Sequence, residues 1–252
     1  MKSIEIFLAL GLISTIGLSG NTVDAGEYSS AIAEKDRANT SIMAQGGEGD
    51  EELSPGEQAN ADFQDKMGSA ELLSELQNGG YVIYFRHTQT EKDYADQVKA
   101  NVNDCSTQRV LSEEGLQQAL AIGDSFAASE IPVGKVTTSE YCRAWTTAAL
   151  AFGDYEKDSA LNFLPFEDYT DEQMEQMKAN VTPLLTAVPE DGTNNVIVGH
   201  DDIFESATGI YPDPQGMAYV VKPDGNGGFE VMANLLPEEW AELSSSANSS
   251  AK

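Results

Sequence analysis

The chain is expected to fold as an α/β protein, a single-domain three-layer αβα sandwich with a mostly parallel central sheet. Three observations predict this. The apolar runs Tyr81-Val82-Ile83-Tyr84-Phe85 and Asn195-Val196-Ile197-Val198 are short and bounded by turn signals, the pattern of strands buried in a parallel sheet. Segments with helical apolar spacing alternate with the strands along the chain. The chain has 2 histidines, His87 and His200, and each stands where one of those runs ends. Open α/β sheets bind ligands beyond the carboxyl ends of their strands.

The elements follow in order. Ser69 is placed to cap a helix over 69–77, which Asn78-Gly79-Gly80 stops. A strand over 81–86 leads into a polar stretch, 88–110, read as a long loop leaving the sheet edge; such loops often carry function. Ser112 caps the next helix, with Glu113 and Glu114 in the first turn, where carboxylates suit the dipole. Its apolar face is expected from Leu116, Ala119, Leu120, Ile122 and Phe126. Ile131-Pro132-Val133-Gly134 reads as a turn and 135–138 as a short strand. Ser139 opens a helix over 140–152, closed by Gly153, and 154–169 is irregular and acidic. In the helix expected over 171–187, Pro183 marks a kink or restart. A strand over 195–198 and a short helix near 204–208 lead to Gly209. Strands over 217–221 and 229–234 flank a Pro/Asp/Gly-rich turn as a hairpin, and Pro237 starts a closing helix.

Charge narrows the partners. With 42 acidic against 14 basic side chains and a net charge of −28, the chain is expected to bind no nucleic acid and no anionic membrane. A phosphate site must then be a local positive pocket in a negative field. At the N-terminus, Lys2 precedes an apolar stretch over 6–18, and Val23-Asp24-Ala25 offers a cleavage point. Residues 1–25 are read as a signal peptide, giving a secreted or periplasmic protein without stable membrane insertion after cleavage. The alternative is a retained anchor helix, since Glu5 leaves the leader without net positive side-chain charge. Residues 26–68 are poor in apolar side chains and are read as a disordered acidic spacer, 69–243 as the folded domain, and 244–252 as a disordered tail.

Three segments carry the chemistry. In Arg86-His87, an arginine can grip a phosphoryl group with its planar fork while the adjacent imidazole attacks phosphorus. Alone the pair reads more readily as a strand-end histidine bonded to a loop. Ser139-Glu140-Tyr141-Cys142-Arg143-Ala144 begins a helix after a strand, and Arg143 in its first turn opposes the helix dipole. A bound phosphate would account for that arginine, as would an acidic neighbour. In Gly199-His200-Asp201-Asp202, His200 can donate to a phosphoryl oxygen and Asp201 can protonate a leaving alkoxide. Adjacent carboxylates raise each other's proton affinity. Asp202 is read equally as a helix cap.

Arg86-His87-Thr88-Gln89-Thr90 resembles the Arg-His-Gly-x-Thr signature of the histidine phosphatase (phosphoglycerate mutase-like) superfamily. The order of the later segments also resembles it: Gln108-Arg109-Val110-Leu111-Ser112, then 139–148, then Val198-Gly199-His200. The resemblance implies that His87 is a nucleophile forming a phosphohistidine. It implies that Arg86, Arg143 and His200 surround the phosphoryl group, with Thr90 touching it, and that no cofactor and no metal is used. The sequence departs at Thr88, which replaces the signature glycine. For the proton donor, one branch of the superfamily implies an acid in the segment after the Arg143 helix, Glu167 or Asp168. Another implies the Asp after the second histidine, Asp201, which adjacency favours.

Cys105 and Cys142 are the 2 cysteines. In an exported chain an even count suggests one disulfide, tying the loop after His87 to the helix bearing Arg143. The alternative is two buried thiols. The expected function is an exported, metal-independent phosphatase acting on a small phosphorylated substrate. The alternative is a non-catalytic phosphate- or phospholigand-binding module of the same fold. A mutase and a phosphohistidine-protein phosphatase fit an exported chain less well, and a metal site from His87, His200 and Asp201 lacks close ligand spacing. Tyr94, Tyr141, Phe163 and Phe166 are candidates to line the pocket wall.

Overall fold

The structure, a computed structural model, describes residues 53–92, 96, 100–164 and 169–243. The expected signal peptide, the spacer up to Glu52 and the tail 244–252 lie outside the described residues, as do Tyr94, Phe166, Glu167 and Asp168.

The sheet is built around β1 (Val82–Arg86), whose five residues are all buried. With β2 (Val133–Thr138), β3 (Glu156–Lys157), β4 (Asn194–Gly199), β5 (Ala218–Pro223) and β6 (Phe229–Leu235) it forms one sheet in the order β3-β2-β4-β1-β5-β6. The pairs β1–β4, β2–β4 and β2–β3 are parallel; β1–β5 and β5–β6 are antiparallel, the last as the expected hairpin. The class is therefore α/β with a mostly parallel sheet, as expected.

Alternation along the strands makes the three layers. Ile83 and Phe85 of β1, with Val196 and Val198 of β4, face one core. Helices α2 (Ser69–Asn78), α3 (Glu113–Ala128) and α4 (Cys142–Phe152) cover it, with Trp240 from a helical turn over 239–243. Val82, Tyr84 and Ile197 face the other core, covered by α5 (Asp171–Leu185) and α6 (Asp201–Thr208). Phe85 and Phe126 meet each other, and each meets Phe152 and Trp240, in ring contact in the first core, adding favourable ring geometry to their buried area.

Several expectations need correction. The spacer expected to reach Gly68 is ordered in its final part. Ser54 and Glu57 form a reciprocal cap, Pro55 occupies the first turn, and α1 (Pro55–Ala61) follows. Asn60 Oδ1 accepts from the Tyr219 hydroxyl, and the Phe63 ring packs edge-on against Tyr219 at 5.3 Å. Asp65 Oδ1 and the Lys66 amide bond the main chain of β6, partly covering a sheet edge. A few apolar anchors suffice there because the surface they seat against already exists. On α3, Leu116 and Leu120 are 37% and 43% exposed, while Ala119, Ile122 and Phe126 turn inward. The buried stripe 115, 119, 122, 126 keeps the 3–4 spacing, and both leucines sit one position beyond it. Pro183 lies in the last turn of α5, which runs on to Leu185. Ser69 is the first residue of α2, with Gly68 as its N-cap.

Candidate functional site

Three parallel strands, β2, β4 and β1, lie side by side, and each delivers one polar residue at its carboxyl end: Ser139, His200 and His87. The register fixes this alignment. Arg86 pairs with Gly199, and Thr138 with Val198, so the next residue of each strand reaches the same edge. The His87 amide donates to Gly199 O at 3.0 Å and the Ser139 amide to Val198 O at 3.0 Å. Gly199 is required here, because a Cβ would collide with the Tyr84 hydroxyl. That hydroxyl donates to His200 O at 2.7 Å and accepts from His200 N at 3.1 Å, fixing the backbone that carries the second imidazole.

His87 is almost wholly enclosed. Its Nδ1 lies 2.9 Å from Thr88 O, a carbonyl that can only accept, so Nδ1 carries the proton and Nε2 keeps its lone pair. Arg143 Nε donates to that Nε2 at 3.1 Å. Burial and then the Arg143 charge hold the imidazole well below the usual histidine range, so it is neutral near pH 7. Thr88, the residue that replaces the signature glycine, is accommodated by Thr147. Its amide and hydroxyl meet Thr147 Oγ1 at 3.1 and 3.0 Å, and Thr147 Oγ1 donates to Arg143 O at 2.8 Å.

Both arginines are buried and paired. Arg143 forms an ion pair with Asp96 at 3.1 Å and lies over the rings of Tyr141 and Phe163, 5.1 and 5.2 Å from their centroids. Arg86 forms an ion pair with Asp201 and another with Asp213 at 2.8 Å, and donates to Pro212 O at 2.7 Å. Its Nε is buried with no partner among the described residues. Asp201 also accepts from the Tyr211 hydroxyl at 2.9 Å. Asp202 accepts from Tyr169 at 3.0 Å; burial and the Asp201 charge push its carboxyl up to about 6.

The rings of His87 and His200 stand 5.5 Å apart in an edge-to-face arrangement. His200 is enclosed by Tyr141 and Phe163, at 5.4 and 4.8 Å between centroids, and its Nε2 lies 3.0 Å from Ser139 Oγ. Burial, then Arg143, holds it too well below the usual range.

Of the residues singled out from sequence, His87, Arg86, Arg143, His200 and Asp201 therefore meet at one sheet edge. Thr90 is placed differently: its amide and hydroxyl donate to Gln215 Oε1 at 2.8 and 3.1 Å, and it bridges to Leu111. Cys105 and Cys142 are joined in a disulfide directly beside Arg143. Glu167 lies outside the described residues. The sequence reading quoted Arg109 without a role, yet its charge acts on His87, Arg143 and His200 alike. It passed over Asp96 and Asn162 altogether. Asp96 ties this arginine-bearing loop to Arg143, accepting from the Arg109 amide at 2.6 Å. Among the described residues no group of three or more His, Cys, Asp or Glu is arranged to hold a metal ion, and no helix is long and apolar enough to cross a membrane.

Two neutral imidazoles with guanidinium groups around them at a strand-end crevice define a site for an anion. The family model of the histidine phosphatase superfamily (branch 1) matches residues 82–191, and this part of the chain is similar to that superfamily. The match takes in His87, Arg109 and Arg143 and ends before His200. No curated protein matches the chain. Among solved structures, the protein histidine phosphatase SixA complexed with tungstate is 14% identical, covering 63% of this chain and 98% of its own, with a TM-score of 0.45. A phosphoglycerate mutase from Thermus thermophilus is 17% identical over 62% of this chain and 98% of its own, with a TM-score of 0.44. A mutant phosphoserine phosphatase from Entamoeba histolytica, in complex with phosphoserine, is 13% identical over 63% and 98%, with a TM-score of 0.43.

Proposed function

We propose that the protein is a phosphatase that hydrolyses small phosphomonoesters through a phosphohistidine on His87. The observation that carries this reading is the fixed tautomer of His87. Thr88 O holds the proton on Nδ1, so the single lone pair of the ring is Nε2, facing the Arg143 guanidinium. A phosphoryl group that displaces this hydrogen bond meets the nucleophile Nε2 and takes the Arg143 donor for its own oxygens. Arg143, Arg109 and the unpartnered Nε of Arg86 supply positive charge for the developing negative charge on phosphorus, so no metal is called for. Phosphorus is attacked by Nε2 as the ester oxygen leaves. Water then attacks the phosphohistidine from the side that the leaving group vacated, returning the imidazole.

Asp201 is proposed as the acid for the leaving oxygen, with Glu167 as its rival. Asp201 holds Arg86 and accepts from the Tyr211 hydroxyl. Once the phosphoryl group has taken over Arg86, Asp201 is free to take up a proton, give it to the leaving oxygen and recover one from the attacking water. Export is part of the proposal, supported by the Lys2 leader and the disulfide.

The test is hydrolysis of para-nitrophenyl phosphate. Turnover that survives chelator and is lost in His87→Ala supports the reading. Binding of phosphate without turnover supports a phospholigand-binding module. Asp201→Asn and Glu167→Gln, compared on good and poor leaving groups, identify the acid as the residue whose loss matters mainly for poor ones.

A further inference from the structure

His200 ends a chain of polar groups whose protons can be placed one by one. Asn162 Oδ1 accepts from the Glu140 amide at 3.0 Å and Asn162 Nδ2 donates to Glu140 Oε2 at 2.7 Å, so the side-chain amide stands one way round. Its oxygen lies 2.8 Å from Ser139 Oγ. A carbonyl oxygen has no proton to give, so Ser139 spends its single proton on Asn162. The Ser139 oxygen is left with lone pairs alone. One accepts the Tyr141 amide at 3.2 Å, and the other faces His200 Nε2 at 3.0 Å. Nε2 must therefore carry the proton of that bond. A neutral imidazole has one N–H, so His200 Nδ1 is a bare acceptor, and it makes no hydrogen bond among the described residues.

A bare nitrogen is the wrong partner for a fully ionised phosphoryl group, whose oxygens only accept. It is the right partner for a P–OH, so His200 accepts from the phosphoryl group rather than donating to it as expected from sequence. We propose that Asn162, acting through Ser139, fixes His200 as the Nε2–H tautomer, and that the pocket thereby selects phosphomonoesters in their singly protonated form. The inference rests on the phosphoryl-transfer reading above, and Asn162 is a positioning residue. The charges around His200 agree with it. Arg143 on α4, Arg86 and His87 at the end of β1, and Arg109 in the loop all oppose a second proton on the ring. The acids next in α6 are engaged elsewhere, Asp201 by Arg86 and Asp202 by Tyr169. Glu140 is turned to Asn162, and the Tyr141 and Phe163 rings close the remaining sides.

Binding of inorganic phosphate and of sulfate to the full chain, followed by calorimetry as pH rises through the second ionisation of phosphate, tests this. Phosphate should weaken about tenfold per pH unit above that ionisation, and sulfate, which brings no proton, should bind at least about tenfold more weakly than phosphate below it. A flat phosphate affinity overturns the proposal. So does sulfate that binds as tightly while taking up a proton in Asp201→Asn, where that side chain cannot hold it, because the proton would then sit on His200. In Asn162→Ala the Ser139 proton is free to turn to Nε2, and the slope should flatten. An equal loss at every pH, with the slope kept, is what a merely structural role gives and overturns the assignment to Asn162. Phosphate that binds at no pH would remove the phosphoryl-transfer reading along with the inference.

Discussion

The two sides of the crevice are built by different means. Around His87 and α4, neutral hydrogen bonds do most of the holding. Thr88 meets Thr147, Thr147 caps the Arg143 carbonyl, and Thr88 O orients His87. Between Arg86 and α6, charges do it: Asp201 and Asp213 on Arg86, with Asp202 and Glu205 close by. The difference assigns the work. In that frame the positive charge of Arg143 stands next to Nε2, paired with the partly buried Asp96. The acidic side holds the groups able to supply a proton. A chain with a net charge of −28 thus keeps its anion site with most of the neighbouring carboxylates on one flank of it, Asp96 being on the other.

Removing the cation from the neutral side should have the largest effect. Arg143→Ala is expected to cut kcat on the order of 10²–10³-fold, the typical result of deleting one preorganised donor, with Arg143→Lys recovering only part. Steady-state kinetics on an aryl phosphate measures it. An effect confined to KM would mean that Arg143 merely binds the ground state.

The disulfide braces that same side, tying Cys105 in the loop to Cys142 beside Arg143 across a separation of 37 residues. The double variant Cys105→Ser, Cys142→Ser should lose about 3–4 kcal/mol of stability in denaturant titration. Its activity should fall more than that of a variant of similar stability cost on the far face, since Gln108 and Arg109 lie within the tethered segment.

The charged side should answer to pH. Asp202 is raised to about 6 in the fold against 3.8 for a free side chain, so its contribution is present in full below 3.8 and lost as pH climbs through 6. Asp202→Asn should therefore raise Tm near neutral pH and leave it little changed below about pH 4. Equal gains at both pH values would separate the effect from ionisation. The smallest effect is expected from Thr147→Val, about 1 kcal/mol from the lost hydroxyl bonds, with a fall in kcat as Thr88 and His87 loosen.

The sheet and the two histidines were legible because a strand writes itself into sequence as a local apolar run, and the residue after the run is then at the edge. Arg143 was legible by its conflict with the helix dipole. Asp96 and Asn162 left no such mark. Each acts on a partner far along the chain, Arg143 for one and Ser139 for the other, and nothing near either residue in sequence announces that contact. The opening segment was misread for a related reason. Residues 53–68 look too polar to fold alone, yet Phe63 and Asn60 need only seat on Tyr219, which the sheet had already placed. At Thr90, where the signature implies a phosphate contact, the hydroxyl donates to Gln215, a contact that no local pattern announces.

The central claim is that His87 Nε2 becomes covalently phosphorylated during turnover. Rapid quenching of the enzyme with a phosphomonoester into alkaline solution, followed by peptide mass spectrometry, tests it directly. The account predicts an acid-labile phosphoryl group on His87, absent from His87→Ala. Sustained hydrolysis with no phosphoryl group on His87, or with one on another residue, would contradict it.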